Sequence, residues 1–492
     1  MLKILIANRG EIAIRIAKTC KRLGILPYGI FSEADKESLH IKYCEDAINI
    51  GGFLAIENYL CIDRIIDAAK KLGCEMIHPG YGFLSENENF VRSCRKEGLV
   101  FIGPSFESMK LSGDKVKTRE IASRVSKIVD GKEVKNEDDA LREGERIEYP
   151  VIIKAVEGGG GRGLRIARSQ DELLNLFQES KNEAQISFGS NRIYLEKYLE
   201  NPRHIEVQIL SDKSNVIHLG ERECSIQRRY QKLIEETPAP NLSTETRHNM
   251  TETAIKIIKE IGYENAGTVE FLFKNNKFYF MELNARIQVE HPITEEVTGV
   301  DIVEQQINIA KGDGLGLNQK EIKTRGNAIE CRINAENPLT FSPYPGKIDY
   351  YKPPKEEGIR IETSLFEGYS IPVFYDSLIA KLISFGCNRN TAIDRMRKAL
   401  ANFRISGIPS TIPFHISAMN DQRFLTCKYD TSFVENMKYF SSRDGEIAAA
   451  IFAALPRKIN FLEDISEEDP WYRKTVNIER LNGYNDYWRW SI

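Results

Sequence analysis

The sequence predicts a mixed α/β and α+β protein of several domains, with a doubly wound parallel sheet first and antiparallel sheet behind it. Three observations carry this. Residues 2–32 run apolar strand, amphipathic helix, apolar strand, the β-α-β opening of a doubly wound sheet. Residues 326–386 alternate in the manner of antiparallel strands. The chain has 492 residues, too many for one hydrophobic core, so two to four domains are expected.

Composition narrows the function classes. A hydrophobic content of 41% with 28% charged residues is that of a soluble globular protein. A net charge of -3 supports neither a nucleic-acid footprint nor a basic membrane surface. Nine cysteines, scattered and without a CxxC pair, read as small buried hydrophobes in a reduced, cytoplasmic compartment. The opening MLKILIANRG is too short in apolar run for a signal peptide, and no stretch reaches the length of a membrane span. The run EIAAAIFAAL (446–455) reads as a packed helix.

Residues 2–7 form the first strand, 11–23 a helix closed by Gly24, and 27–32 the second strand. The connecting Asn8-Arg9-Gly10 is not a dinucleotide fingerprint. A helix over 59–72 and a strand over 76–79 continue the pattern, and residues 99–103 make a fourth strand. Between them, HPGYGFLSEN (78–87) sits at the carboxyl end of a strand, where open α/β sheets place ligands. It reads equally as a structural turn before a helix capped by Ser85. Residues 116–148 are strongly charged and read mostly as solvated helical surface, whereas Lys115 follows a Gly-Asp pair at a domain junction.

The strand 150–155 carries one lysine, Lys154, which needs an anionic partner. The run Gly158–Gly163, five glycines and Arg162, follows it, then a strand over 164–167 and a helix. Backbone N–H groups of such a loop can approach phosphate oxygens, and the loop can close as a lid. No Lys-Ser/Thr follows the last glycine, so it is not a Walker A loop. In the strand 193–199, the pair Glu196-Lys197 either reads an adenine ring or forms an edge-strand ion pair. His204 occupies a polar position where strand 205–210 begins. The segment 221–232 holds Arg222, Arg228, Arg229 and Lys232, which require anions nearby; it reads as an extended, loop-borne cluster.

A hairpin follows, 268–273 and 278–284, each strand with one acid: Glu270 and Glu282. A two-residue loop, Asn275-Asn276, would pair Glu270 with Met281 and turn the acids to opposite faces. A three-residue loop, Asn275–Lys277, sets Glu270 opposite Glu282, and facing carboxylates call for a cation such as Mg²⁺ or Mn²⁺. The three-residue loop is the expectation. Beyond it, Glu282, Asn284, Arg286, Gln288 and Glu290 stand at every second position, too polar a run to bury without a charged ligand. Arg332 lies in an apolar strand, a helix spans 390–403, and the last fifty or so residues, with all three tryptophans, form an appendage.

The motifs IANRGEIAIRI, HPGYGFLSEN, GDK, PVIIKA with GGGGRG, EKYLENPRHIEVQ, ERECSIQRRYQK, MELNARIQVEHPITEEVTGVD, ECRINAE, SPYPGKI and YDSLIAKL, in this order, resemble the biotin carboxylase family of the ATP-grasp superfamily. The resemblance runs from about residue 2 to about residue 436. It implies a Rossmann-like domain (1–114), a linker helix (115–130), an ATP-grasp lid (131–203) and catalytic core (204–325), a barrel-like C-terminal domain (326–442) and an extension (443–492). It implies ATP- and bicarbonate-dependent carboxylation of biotin through carboxyphosphate. Lys115 and Lys154 would hold ATP phosphates, Gly161 and Arg162 would lie in the lid, and Glu196, Lys197 and Leu199 would read adenine. His204, Gln227 and Tyr230 would sit near the nucleotide. Glu270, Glu282 and Asn284 would bind two Mg²⁺ or Mn²⁺ ions. Lys232, Arg286, Gln288 and the Val289 backbone would hold bicarbonate, Glu290 would be the general base, and Arg332 would steady the biotin enolate.

Two departures stand out. The family usually has histidine at the place of Tyr230, so altered phosphate affinity is expected. Its Gly-Val-Pro segment near the lid reads Ser123–Ile128 here, so the hinge is expected to differ. No Ala-Met-Lys-Met biotinylation sequence occurs and no length remains for a carboxyltransferase. The implied partners are a biotin carboxyl carrier protein, a second copy in a homodimer, and a separate carboxyltransferase. The extension either docks a partner or covers the enzyme's own surface. The general ATP-grasp parts also suit another carboxyphosphate-forming ligase, and Tyr230 with the altered hinge is the feature a silent subunit would show. The final acceptor, acetyl-CoA, propionyl-CoA or pyruvate, would be chosen by the partner.

Overall fold

A computed structural model describes residues 1–156 and 164–437. The glycine run with Gly161 and Arg162, the apolar run 446–455 and the tryptophan-bearing extension lie outside the described residues.

The N-terminal sheet is parallel and five-stranded, in the order Asp46–Asn49, Leu26–Phe31, Lys3–Ile6, Met76–His78, Val100–Phe101. The sequence reading has four of these strands. The fifth, Asp46–Asn49, is half exposed at the sheet's edge and lacks the apolar run that marks the others. Ile4, Leu5 and Ile6 are fully buried because helices cover both faces. Strand order reverses between Lys3–Ile6 and Met76–His78, and the loops leaving both strands meet there. The Asn8 amide donates to Pro79 O at 2.7 Å and to Tyr81 O at 2.8 Å. A crevice at such a switch point is the usual ligand position in open α/β sheets. The helix after the loop begins at Glu88, and its cap is Asn87, whose side chain accepts from the Phe90 N–H; Ser85 does not cap it.

A second sheet, antiparallel and four-stranded, has the order Gly131–Val134, Ile193–Lys197, Val151–Ala155, Arg165–Ala167. Ile193–Lys197 is therefore an inner strand and not an edge. Helices Glu137–Ile147 and Gln170–Phe188 bury its apolar face through Ala140, Ile147, Leu173 and Phe177.

The third sheet is the largest. Eight antiparallel strands follow one another as Lys277–Asn284, Glu264–Lys274, Arg203–Asp212, Val216–Arg228, Gln231–Thr237, Asn327–Asn334, Leu378–Gly386, Ile359–Thr363. Its hydrogen bonding continues across residue 325, between Gln231–Thr237 and Asn327–Asn334. The segment 221–232 is extended, but it belongs to two paired strands with Arg229 and Tyr230 at their turn, both in the left-handed region. No described helix is long and apolar enough to cross a membrane.

The hairpin holds a correction. Lys274 pairs with Lys277, so the loop is the two residues Asn275-Asn276, both left-handed, at φ 51° and 58°. The register then shifts: Phe271 faces Phe280, while Glu270 faces Glu282. Met281 is the extra residue of a β-bulge. The acids do oppose each other, through a bulge next to them and not through a longer loop. Phe271 packs edge-on against Phe278 and Phe280, with ring centroids 5.4 and 6.4 Å away. Those contacts hold the distal register and push the slip to Met281.

Candidate active site

A cleft of about 880 Å³ lies where the three sheets converge. Every described residue that the sequence reading assigns to the site lines it, except Glu290.

Glu290 lies behind the wall, fully buried. Lys232 Nζ reaches one of its oxygens at 2.6 Å and Arg332 Nη2 the other at 2.8 Å. Burial alone would raise its pKa, but Lys232, Arg332 and Arg222 hold the carboxyl well below the usual range. Its carboxylate form is the favoured one, held under two cations.

Lys232 is the hub. Its ammonium also meets Glu206 and, at 3.1 Å, Glu270. Burial disfavours its charge, yet Glu206, Glu270 and Glu290 lift its pKa well above that of an ordinary lysine. Glu206 in turn accepts from Arg222 Nε at 2.6 Å, and the Arg222 guanidinium is fully buried, with Gln208 and Thr294 at Nη1 and Thr268 at Nη2. Arg332 Nε donates to Glu235 at 2.6 Å, and burial pushes the Glu235 carboxyl up to about 7. His204 Nε2 lies 2.9 Å from Glu270. Burial lowers the imidazole pKa, but the charge and the hydrogen bond of Glu270, with the Glu206 charge, together raise it overall. Gln227 Nε2 lies 3.4 Å from the other ring nitrogen of His204.

The run after the hairpin leaves the strand at Asn284, but its alternation persists. Ala285 and Ile287 are buried in the core while Arg286 and Gln288 face the cleft. Asn284 donates to Glu270 at 2.8 Å. Arg286 Nε donates to Glu86 at 2.8 Å, and the Ala285 N–H donates to the same carboxylate at 3.1 Å. Gln288 Nε2 is buried without a hydrogen-bond partner among the described residues, an amide donor at the cleft wall. The Val289 carbonyl accepts from Lys381 Nζ at 3.0 Å, and that fully buried lysine also meets Glu11 at 3.1 Å.

On the lid side, Lys154 Nζ donates to Glu196 at 3.0 Å, and Arg119 Nη1 lies 3.1 Å from the other Glu196 oxygen. Burial lowers the Lys154 pKa despite that carboxylate. Glu196 thus takes up two cations. The Lys197 ammonium is tied to the carbonyls of Glu148 and Tyr149, at 2.9 and 3.2 Å. Lys115 Nζ lies 3.4 Å from Glu282. Tyr230 stands at the rim, 42% exposed, and burial of the rest pushes its phenol up to about 12.

Sequence reasoning misses Glu206, Glu235, Arg119, Glu86 and Lys381. The first has a signal: Glu206 and Gln208 alternate with Ile205, Val207 and Ile209, giving a strand with one polar face. Arg119 and Glu143 fall in the charged run read as mostly solvated, yet they are 5% and 1% exposed.

Comparisons with known proteins assign the chain to a family. Residues 1–109 match the family model "Biotin carboxylase, N-terminal domain", 114–318 "Carbamoyl-phosphate synthase L chain, ATP binding domain", and 330–436 "Biotin carboxylase C-terminal domain". The biotin carboxylase of a Nostoc species is 49% identical over 441 residues, covering 88% of this chain and 99% of that one. The chain belongs to the biotin carboxylase family. The 2-oxoglutarate carboxylase small subunit of Hydrogenobacter thermophilus is 46% identical, over 92% of this chain and 98% of that protein. A biotin carboxylase of Campylobacter jejuni, solved as a β,γ-ATP complex, superposes with a TM-score of 0.87 at 47% identity, over 88% of this chain and 98% of that one. The biotin carboxylase domain dimer of the Hydrogenobacter enzyme, solved with MgADP, ADP and bicarbonate, gives 0.86 at 47%, over 88% and 97%. The expected architecture, a parallel N-terminal sheet before an ATP-grasp unit and antiparallel sheet, is the one observed.

Proposed function

We propose that this chain is the biotin carboxylase subunit of a multi-subunit carboxylase, transferring a carboxyl group from bicarbonate to carrier-bound biotin at the expense of ATP. The observation that carries this reading is the Lys232 knot: one ammonium gathers Glu206, Glu270 and Glu290 beside Arg332 in a cleft that also holds Lys115 and Lys154.

Bicarbonate and the γ-phosphate are both anions, so their approach needs fixed cations. Lys115 and Lys154 take the phosphates, and displacement of Lys154 from Glu196 frees its ammonium for them. Gly161 and Arg162 belong to the loop closing over the nucleotide, with Glu196, Lys197, Leu199, His204, Gln227 and Tyr230 around it. Arg286, the Gln288 side-chain amide and the Val289 backbone offer donors to a planar oxyanion, with Lys232 beside them. Glu290 is poised as base for bicarbonate, and Arg332, once it turns from Glu290, stabilises the enolate oxygen of biotin. Hard oxygen donors on facing strands suit small divalent ions, so Glu270, Glu282 and Asn284 are the residues that would hold Mg²⁺ or Mn²⁺. Such ions would offset charge on the phosphates. The carrier and the carboxyltransferase act in trans, and the protein works as a homodimer in the cytoplasm.

The test is phosphate release from ATP with bicarbonate, with and without free biotin. Release that rises with biotin supports the reading. Release that needs bicarbonate but ignores biotin assigns the cleft to another carboxyphosphate-forming ligase.

A further inference from the structure

Among the described residues eleven large hydrophobic side chains are exposed, and five of them come from two loops: Phe53, Leu54 and Ile56, and Val373 and Phe374. Exposed apolar residues scattered singly need no explanation, but a cluster drawn from distant parts of the chain does. The Phe53 and Phe374 rings meet at 5.5 Å between centroids. Ile56 is 68% exposed and Val373 65%.

The cluster is held rigid. The Glu57 carboxylate accepts from the N–H groups of Phe53 and Leu54, both at 3.1 Å. The Tyr375 hydroxyl lies 2.7 Å from Ser32 Oγ and 3.3 Å from Phe53 O, so it ties the two loops together. The Arg9 guanidinium stacks on the Tyr375 ring at 4.4 Å and pairs with Asp35 at 2.6 Å. A surface made in advance loses little entropy when a partner lands on it.

Its place argues for the partner. Ala55, Val373 and Phe374 line the same cleft as Arg9, Tyr81 and Arg332. We propose that Phe53, Leu54, Ile56, Val373 and Phe374 form the docking surface for the carrier domain whose biotinyl-lysine enters the cleft beside Arg332. This rests on the biotin carboxylase reading above. Biotin arrives on a short lysine arm, so the protein bearing it must lie against the rim next to the group that receives the ring. ATP and bicarbonate diffuse freely and need no apolar rim. An aromatic pair ringed by aliphatic side chains has the make-up of an interface hot spot.

The full-length enzyme is assayed for phosphate release driven by free biotin, and separately by the biotinylated carrier domain encoded in the same genome. The variants are Leu54→Lys and Ile56→Lys, at exposed positions that do not line the cleft. The expected result is a KM for the carrier raised about tenfold or more, with free-biotin kinetics within about twofold of wild type. A carrier KM within about twofold of wild type in both variants overturns the proposal. A wild-type enzyme that ignores free biotin overturns the carboxylase reading itself, which separates the two failures. Sedimentation assigns the surface to a second copy, and overturns the carrier assignment, if Ile56→Lys splits an oligomer while carrier kinetics stay unchanged. Deleting residues 438–492 tests the chain's own tail as occupant. Amide exchange in 53–56 that speeds up on deletion assigns the surface to the tail, and unchanged exchange upholds the carrier.

Discussion

The knot around Lys232 and the lid-side group around Lys154 are built from the same residue types but balanced differently. In the knot, Lys232, Arg222 and Arg332 face Glu206, Glu235, Glu270 and Glu290, and His204 adds a further proton site beside Glu270. On the lid side, Lys154 and Arg119 share the one carboxylate of Glu196. Among the described residues, cations and acids are close to balance in the first, while cations outnumber acids in the second. A matched group is organised when the chain folds, and it selects a small ligand by geometry. An excess of positive charge waits for a polyanion. The same contrast appears inside the hairpin: Glu270 is 3% exposed and meets Lys232 and His204, whereas the facing Glu282 stays 28% exposed at its side chain beside Lys115.

The comparison breaks first at Lys232. Lys232→Met leaves three carboxylates without their common ammonium and should cost about 3–5 kcal/mol of stability, together with all bicarbonate-dependent ATP cleavage. Denaturant unfolding that matches wild type would show that the knot is not organised by this lysine. Next comes Glu290→Gln, expected to lower bicarbonate-dependent phosphate release by about 10²–10⁴-fold in steady-state assays, as loss of a general base does. A rate near wild type would move the base elsewhere.

Arg119→Met sharpens the lid side. With Glu196 left to Lys154 alone, the positive excess disappears, and the KM for ATP should rise about tenfold, the effect of one charge-assisted contact. Its unfolding midpoint should move far less than that of Lys232→Met. A smaller effect concerns pH. Glu235 has its carboxyl raised from 4.5 to about 7 by burial, so the folded state keeps a proton that the unfolded state gives up between those values. The sign follows: this contribution to stability is complete below pH 4.5 and is lost as pH rises through about 7. The melting temperature of wild type relative to Glu235→Gln should therefore fall from pH 5 to pH 8. Smallest of all, Tyr230→His at the rim should change the KM for ATP by only about twofold to fivefold, since an exposed position makes weakly held contacts.

Much of the site was legible because charged residues in apolar strands are costly and therefore conspicuous. Lys154, Glu270, Glu282 and Arg332 announce themselves in this way, and the alternation from Glu282 to Glu290 does so more strongly. Arg119 was not legible, because a single arginine in a charged helix looks like any solvated one. Lys381 belongs to the motif YDSLIAKL, but no local pattern there names its target, the Val289 carbonyl. Glu86 belongs to a loop whose two readings the residues leave open; its bond to Arg286 favours the loop that serves the cleft.

The sequence by itself determined most of the order of strands and helices, though not the edge strand Asp46–Asn49 or the strand pair across 221–232, and it determined the acids and bases available and the family they belong to. These follow from local periodicity and from motifs that survive in linear order. Only the tertiary structure decided who meets whom. Glu270 faces Glu282 through a bulge at Met281, because packing of Phe271 against Phe278 and Phe280 holds one register near the turn, a choice the local pattern does not encode. Glu206, Glu270 and Glu290 converge on Lys232 from three separate segments, and Glu290 ends behind the cleft wall and not on it. Strand pairing over long sequence distances sets those encounters, and no short stretch of residues carries that information.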